Sequence, residues 1–399
     1  MNLKSFFVRL FFISFFIALV IAVIGFARGY RLDLEKRSVS PTGILAVISS
    51  PKAAKVYLNG EFKGVTDLNM TLPPGNYKVE VQKEGYTSYA TNITLKGELV
   101  ETVDPILFPI NPSLTPLTNL GVVKAVQVDQ SDKIILFVDN NSAEKDGIYL
   151  FDSNNKAISF FPPLKTIILK SKLSVGIDFS KTLVNFSPDF KQAIFDFTLA
   201  DDSVISYLFT VDAENQELFD VTNSKPTLLA AWEQEKAEET TKIMESFPKE
   251  IQKIASDSFN IVSFSPSKTK ILYRAKLNLN LPLIIDPPLI ASNQTNEERS
   301  VNKNSVYVYD LKEDKNFLID GSDFDEEKVR WYSDSKRFAL KDNGRLSIIN
   351  YDGKNKQTVY SGPIEEGFFA VNSGGQLIIM ANLNPQLNKL PDLYQIGIR

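Results

Sequence analysis

The sequence predicts a mainly β protein whose C-terminal two-thirds is a β-propeller. Three observations lead there. From Val126 onward an apolar strand repeatedly breaks at a Ser/Pro/Asp/Gly turn, a second apolar run follows, and an aromatic strand then ends in Asp. The clearest copies are Val184-Asn-Phe-Ser-Pro-Asp189 with Ala193-Ile-Phe195, Val262-Ser-Phe-Ser-Pro-Ser267 with Ile271-Leu-Tyr273, and Val329-Arg-Trp-Tyr-Ser-Asp334 with Phe338-Ala-Leu340. A recurring unit that cannot bury its own apolar face implies an array of packed units. The remaining elements are a small β module before the array and an apolar N-terminal helix.

Leu10 to Ala27 is an uncharged, almost wholly apolar run of 18 residues. At about 1.5 Å per residue that is close to the length a bilayer core demands. Lys4 and Arg9 precede it, so a cleaved signal peptide is the competing reading. The apolar stretch is longer than a signal's usual core of about 7–15 residues, and Gly25-Phe26-Ala27 is a mediocre cleavage site. The expectation is a 1–9 tail, a single-pass signal anchor at 10–27 and a stalk at 28–43. Arg28, Arg31, Lys36 and Arg37 on the far flank slightly favour a cytoplasmic body, yet large domains translocate largely regardless of such charges.

Residues 44–103 alternate strands and turns. Ile44–Ser50 is closed by Pro51, Lys55-Val-Tyr-Leu58 runs into the hairpin signal Asn59-Gly60, and Pro73-Pro-Gly75 precedes alternating Tyr77, Val79 and Val81. Ser50-Pro51, Ala54, Val56-Tyr57-Leu58-Asn59-Gly60, Gly64, Thr66, Pro74-Gly75-Asn76-Tyr77 and Gly85-Tyr86 together resemble the PEGA domain, a small prokaryotic β module. Ala53 replaces that family's namesake glycine and Asp67 stands where a proline usually follows the threonine. The resemblance implies an extracytoplasmic body at the cell envelope, with envelope or glycan contact and no catalytic residues. Tyr57, Tyr77, Tyr86 and Tyr89 would either stack on a sugar or pair across strands to stabilise the sheet.

Pro105, Pro109, Pro112 and Pro116 mark 104–118 as an extended spacer with little hydrogen bonding. The propeller is expected over 119–399, with first-strand anchors Val128, Phe186, Phe264, Trp331 and Val371. These lie 58, 78, 67 and 40 residues apart, against about 40–45 for a plain blade, so two gaps hold insertions. Five or six blades are expected, or seven if the first long gap hides a degenerate one. The last repeat stops after Leu393-Tyr-Gln-Ile396, and Leu117–Lys124 is expected to complete that sheet and close the ring. Phe186-Ser-Pro-Asp189 is similar to TolB-type and WD40-like propellers, a likeness of architecture.

The insertion at 227–257 reads as helical, with Trp232, Ile243, Phe247, Ile251 and Ile254 among Glu and Lys. It would pack on the ring's rim or dock a partner. The insertion at 277–305 carries the apolar, proline-rich run Leu281–Ile290, expected to bury against the PEGA-like module or to contact a membrane or partner.

The chain has no His and no Cys. That excludes His-based triads, imidazole or thiolate zinc sites, haem ligation, disulfides and the kinase catalytic-loop signature. The net charge of −4 gives no footprint for nucleic acid. The acidic run Asp320-Gly-Ser-Asp323-Phe-Asp325-Glu-Glu327 lacks the spacing of a Ca²⁺ loop and reads more naturally as a solvated turn. No phosphate loop is present, so no cofactor, metal or catalytic residue is assigned. The expected function is a membrane-anchored envelope protein presenting its propeller to a protein or glycan partner. The alternatives are a propeller glycan hydrolase or lyase using Asp/Glu pairs, and a structural spacer.

Overall fold

A computed structural model describes residues 3–27, 30–33, 38–129, 131–140, 142, 144–154, 164–290, 292–321, 325–386 and 388–398. It divides into two compact units, residues 1–110 with 289–295, and residues 111–288 with 296–398.

In the first unit, helix α1 (Leu3–Ala27) contains the apolar run, and Phe11, Phe12, Ile13, Phe15, Phe16 and Ile17 stand exposed along it. Among the residues whose side chains are described, which in α1 are Phe7 and Arg9–Gly25, no helical stretch is long and apolar enough to cross a membrane. The expected stalk contains a short hairpin pairing Tyr30–Asp33 with Ser38–Pro41.

The β module is two facing sheets. Gly43–Val47 pairs antiparallel with Leu68–Leu72 and parallel with Val100–Val103; Lys55–Leu58 lies between Glu61–Val65 and Gly75–Gln82, and Tyr89–Leu95 forms the far edge. Leu45, Val47, Val56, Leu58, Val79, Val81 and Ile93 fill the space between them. Asn59 and Gly60 both take positive φ (52° and 85°), the conformation their hairpin turn requires. Ala53 also has a positive φ of 58°, which explains why glycine suits that turn.

The expected spacer is not free chain. Ser50 and Pro105 share a backbone bond, as do Leu107 and Ser50, and Ile110 donates to Gly85. Leu107 and Phe108 are buried. Four prolines cannot donate, but their carbonyls and the intervening N–H groups can pair, which is why the segment docks. The proline-rich insertion also contributes here. In Leu289–Thr295, Gln294 accepts the Thr94 N–H at 2.6 Å and donates to the Thr94 carbonyl at 3.1 Å. That contact is polar, and Ile290 remains 67% exposed, so the expected apolar burial is not what holds it.

The second unit contains five four-stranded antiparallel sheets among its described residues. In order from the innermost strand, sheet I is Val122–Gln127, Lys133–Val138, Gly147–Asp152 and Leu164–Leu169. Sheet II is Asp178–Phe186, Gln192–Thr198, Val204–Thr210 and Phe219–Asp220. Sheet III is Phe259–Phe264, Lys270–Ala275, Val306–Asp310 and Lys315–Asp320. Sheet IV is Val329–Trp331, Arg337–Asp342, Arg345–Asn350 and Gln357–Ser361. Sheet V is Phe369–Val371, Leu377–Ala381, Asp392–Gly397 and, from the start of the unit, Ser113–Pro116. The run Ile158–Phe160 lies outside the described residues.

Closure of sheet V therefore uses 113–116, not 117–124. Thr118 Oγ1, Leu120 N–H and Gly121 N–H all donate to the Asp392 carboxylate, which turns the chain. Val122–Gln127 then becomes the innermost strand of sheet I, a better use of three valines than a solvent-facing edge.

The recurring turn has one construction. The first residue after the inner strand donates its N–H to the carbonyl that opens the next strand, Val128 to Lys133, Ser187 to Gln192, Ser265 to Lys270 and Tyr332 to Arg337, or to the one just before it, Asn372 to Gln376. Phe190, Lys268, Ser335 and Gly375 take the left-handed conformation within four of these turns. The Asp that ends the aromatic strand caps the next turn, as Asp152, Asp310 and Asp352 accept the N–H two residues on.

Three pairs of sheets share cores. Ile135, Phe137 and Ile148 of sheet I meet Phe195, Phe197 and Phe209 of sheet II. Leu272 and Val308 of sheet III meet Val329, Trp331 and Phe338 of sheet IV, and Ala370 and Ile378 of sheet V meet Val122 and Leu136 of sheet I. Between sheets IV and V the buried Tyr332 hydroxyl donates to the Gly375 carbonyl.

The helical insertion comprises α2 (Lys225–Met244) and α3 (Lys249–Ser258), the latter following Pro248. Met244, Phe247, Ile251 and Ala255 pack on sheet III with Phe259, Phe264 and Tyr309, while Trp232 stays half-buried on α2. Of the two helices, α3 and the end of α2 are the parts that pack on sheet III.

Candidate functional site

Inner strands bring four distant sequence segments to one place. The ends of the inner strands of sheets I, III, IV and V, with the residues beside them, enclose a cavity of about 480 Å³. Sheet I supplies Gln127 and Asp129, sheet III Val262 and Ser263, and sheet V Val371, Asn372 and Ser373. Sheet IV supplies most, with Glu326, Glu327, Val329, Arg330, Trp331 and Ser333. A second, wider opening of about 1260 Å³ shares Asp129, Val262 and Ser263 and extends between the inner strands of sheets II and III to α2 and α3.

The walls are held rigidly. Gln127 Nε2 donates to the Val371 carbonyl at 2.8 Å, Trp331 Nε1 donates to Ser263 Oγ at 3.1 Å, and Ser373 donates through both its backbone N–H and hydroxyl to Asp132. Asn372 and Gln376 bond reciprocally, fixing the turn beneath. Trp331 is 8% exposed and its ring lies 4.0 Å from that of Phe338.

Arg330 is the one Lys or Arg among the lining residues. Its Nη1 donates to the Glu327 and Val329 carbonyls at 2.8 Å each, and the guanidinium sits 5.5 Å from the Phe369 ring. Burial lowers its pKa from the usual arginine value, while Asp129 and Glu327 act in the opposite sense. Glu326 is instead ion-paired with Arg274 of sheet III.

The four tyrosines of the β module do not form one platform. Tyr77, Tyr86 and Tyr89 pack against the core of the module, whereas Tyr57 lies on the opposite face, 5.7 Å from Phe62. Strand alternation separates them, since Tyr57 lies between inward-facing Val56 and Leu58. Of the acidic run, Asp323 is outside the described residues, Asp325 accepts the Glu327 N–H and pairs with Lys328, and no metal-binding group occurs among the described residues.

Trp331 and Val371 were legible as strand anchors, but Gln127, Asp129, Arg330, Asn372 and Ser373 were not legible as site residues. Their signal is positional. Each lies within two residues of an anchor, where an inner strand meets its turn.

Residues 42–105 match the family model described as PEGA domain. No curated protein matches the chain. Among solved structures it is similar to TolB from Acinetobacter baumannii, at 11% identity and TM-score 0.24, covering 80% of this chain and 59% of that one. A putative TolB from Agrobacterium tumefaciens follows at 10% identity and TM-score 0.20, covering 64% and 68%. An auxiliary nutrient binding protein from Bacteroides thetaiotaomicron has 10% identity and TM-score 0.26, covering 90% and 98%. The chain thus spans 59% of the length of the Acinetobacter protein.

Proposed function

We propose that this chain is a membrane-tethered, non-catalytic binding protein, with a PEGA-type module and a five-bladed propeller carried outside the cytoplasm. The observation that carries the reading is the central cavity. Four separate inner strands contribute to it, and its polar walls are already locked by hydrogen bonds among themselves. A preformed concave site with apolar and convergent polar groups is how small ligands and extended partners are held.

The tether reading rests on the uncharged run Leu10–Ala27 lying within one helix with its large side chains exposed. The PEGA-type module supports an envelope position. Two measurements test the proposal in cells. The chain should stay in the membrane pellet after carbonate extraction, and a protease added outside spheroplasts should degrade the body. Release by carbonate, or a body shielded until lysis, would overturn the placement.

A further inference from the structure

The cavity's charges are arranged in an unusual way. Arg330 is half-buried and aligned by two backbone carbonyls and an aromatic ring, not by an acid. Among the described residues no carboxylate forms an ion pair with it within 4.0 Å, so its remaining donors keep their capacity for an anion. The same cavity presents Asp129, which is exposed, and Glu327, while Glu326 is neutralised by Arg274. Val262, Val329, Val371 and Trp331 supply an apolar wall beside these charges.

A simple anion would meet Arg330 but be repelled by the two carboxylates that line the same cavity. A simple cation would meet the carboxylates but be opposed by a guanidinium that cannot lose its proton. A molecule carrying both charges satisfies both. A carboxylate suits the planar fork of arginine, and an ammonium suits carboxylate oxygens. The cavity, at about 480 Å³, falls in the size range of small-ligand sites, about 300–1,000 Å³.

We infer that the central cavity binds a free α-amino acid with an apolar side chain, its carboxylate on Arg330, its ammonium between Asp129 and Glu327, and its side chain against Trp331 and the valines. This rests on the cavity being the binding site. It adds the chemical class of the ligand.

The chain has two tryptophans, so Trp232→Phe leaves Trp331 as the only one, inside the cavity. The experiment titrates this full-length variant, in detergent, with each aliphatic and aromatic L-amino acid and reads tryptophan emission. The expected result is a saturable change with at least one of them. Its N-acetyl derivative, which lacks the ammonium, and its amide, which lacks the carboxylate, should each bind at least tenfold more weakly. Arg330→Gln should weaken the free amino acid by tenfold or more with the melting temperature retained. Asp129→Asn changes an exposed residue, so it keeps the test decisive if Arg330→Gln does not fold; it should weaken the free amino acid but not the N-acetyl derivative. No saturable response to any amino acid overturns the inference, as does equal binding of the free and blocked forms. If an oligosaccharide or a doubly blocked peptide alters Trp331 emission where amino acids do not, the inference falls and the cavity reading stands. Silence to all of them sinks both.

Discussion

At the scale of single residues, the array depends on a few polar side chains placed where the backbone must turn. Asp314 accepts from the N–H groups of Ile284 and Ile285 and from the Tyr309 hydroxyl, and Arg299 lies 3.3 Å away. One buried carboxylate thereby ties the insertion to sheet III, and burial pushes the Tyr309 hydroxyl far above its ordinary pKa, with the bond to Asp314 adding to it. Ala53 is the opposite case, a residue that pays a conformational penalty. Its φ of 58° costs an L-residue roughly 1–2 kcal/mol. Ala53→Gly should raise the stability of the N-terminal unit by up to about 1 kcal/mol once the added entropy of the unfolded chain is counted. Calorimetry of the full chain checks this, and a lower transition temperature would show that the methyl group packs usefully.

At the scale of elements, what could be read in the sequence depended on how local its cause was. The turn after each inner strand is encoded in five or six residues, and Ser187, Ser265 and Asn372 donate their N–H and accept with their side chains as that turn requires. Such turns were legible, and so were α2 and α3. The closing strand was not. Ser113–Pro116 is short, contains a proline and reads as a linker, because its partner Asp392–Gly397 lies at the other end of the unit. The cavity was illegible for the same reason, since only closure brings Asp129, Arg330 and Asn372 together. Helix α3 is the element whose loss is easiest to measure. Ile251 is fully buried against sheet III, so Ile251→Ala should cost about 2–5 kcal/mol, read as a lower urea midpoint with unchanged slope. A cost under about 0.5 kcal/mol would mean the helices merely rest on the rim.

At the scale of the whole molecule, the proposed binding role depends on closure of the C-terminal unit. Sheets I, III, IV and V hold the cavity walls at fixed separations only if sheet V joins the two ends of the unit, through strand pairing and the three donors on Asp392. An open array would leave the inner strand of sheet I without its neighbour and the cavity without the Val371 to Gln127 contact.

Closure can be measured directly because the chain contains no cysteine. Thr115 and Gln395 face each other in the closing pair, Thr115 exposed and Gln395 half-buried. Directly opposed residues in antiparallel strands stand about 4.5–5.5 Å apart at Cα, within reach of a disulfide. A Thr115→Cys, Gln395→Cys double variant should oxidise to an intramolecular disulfide that is lost on reduction, seen by mass and gel mobility. A double variant whose two thiols stay free, or pair only between molecules, would contradict a closed five-sheet unit.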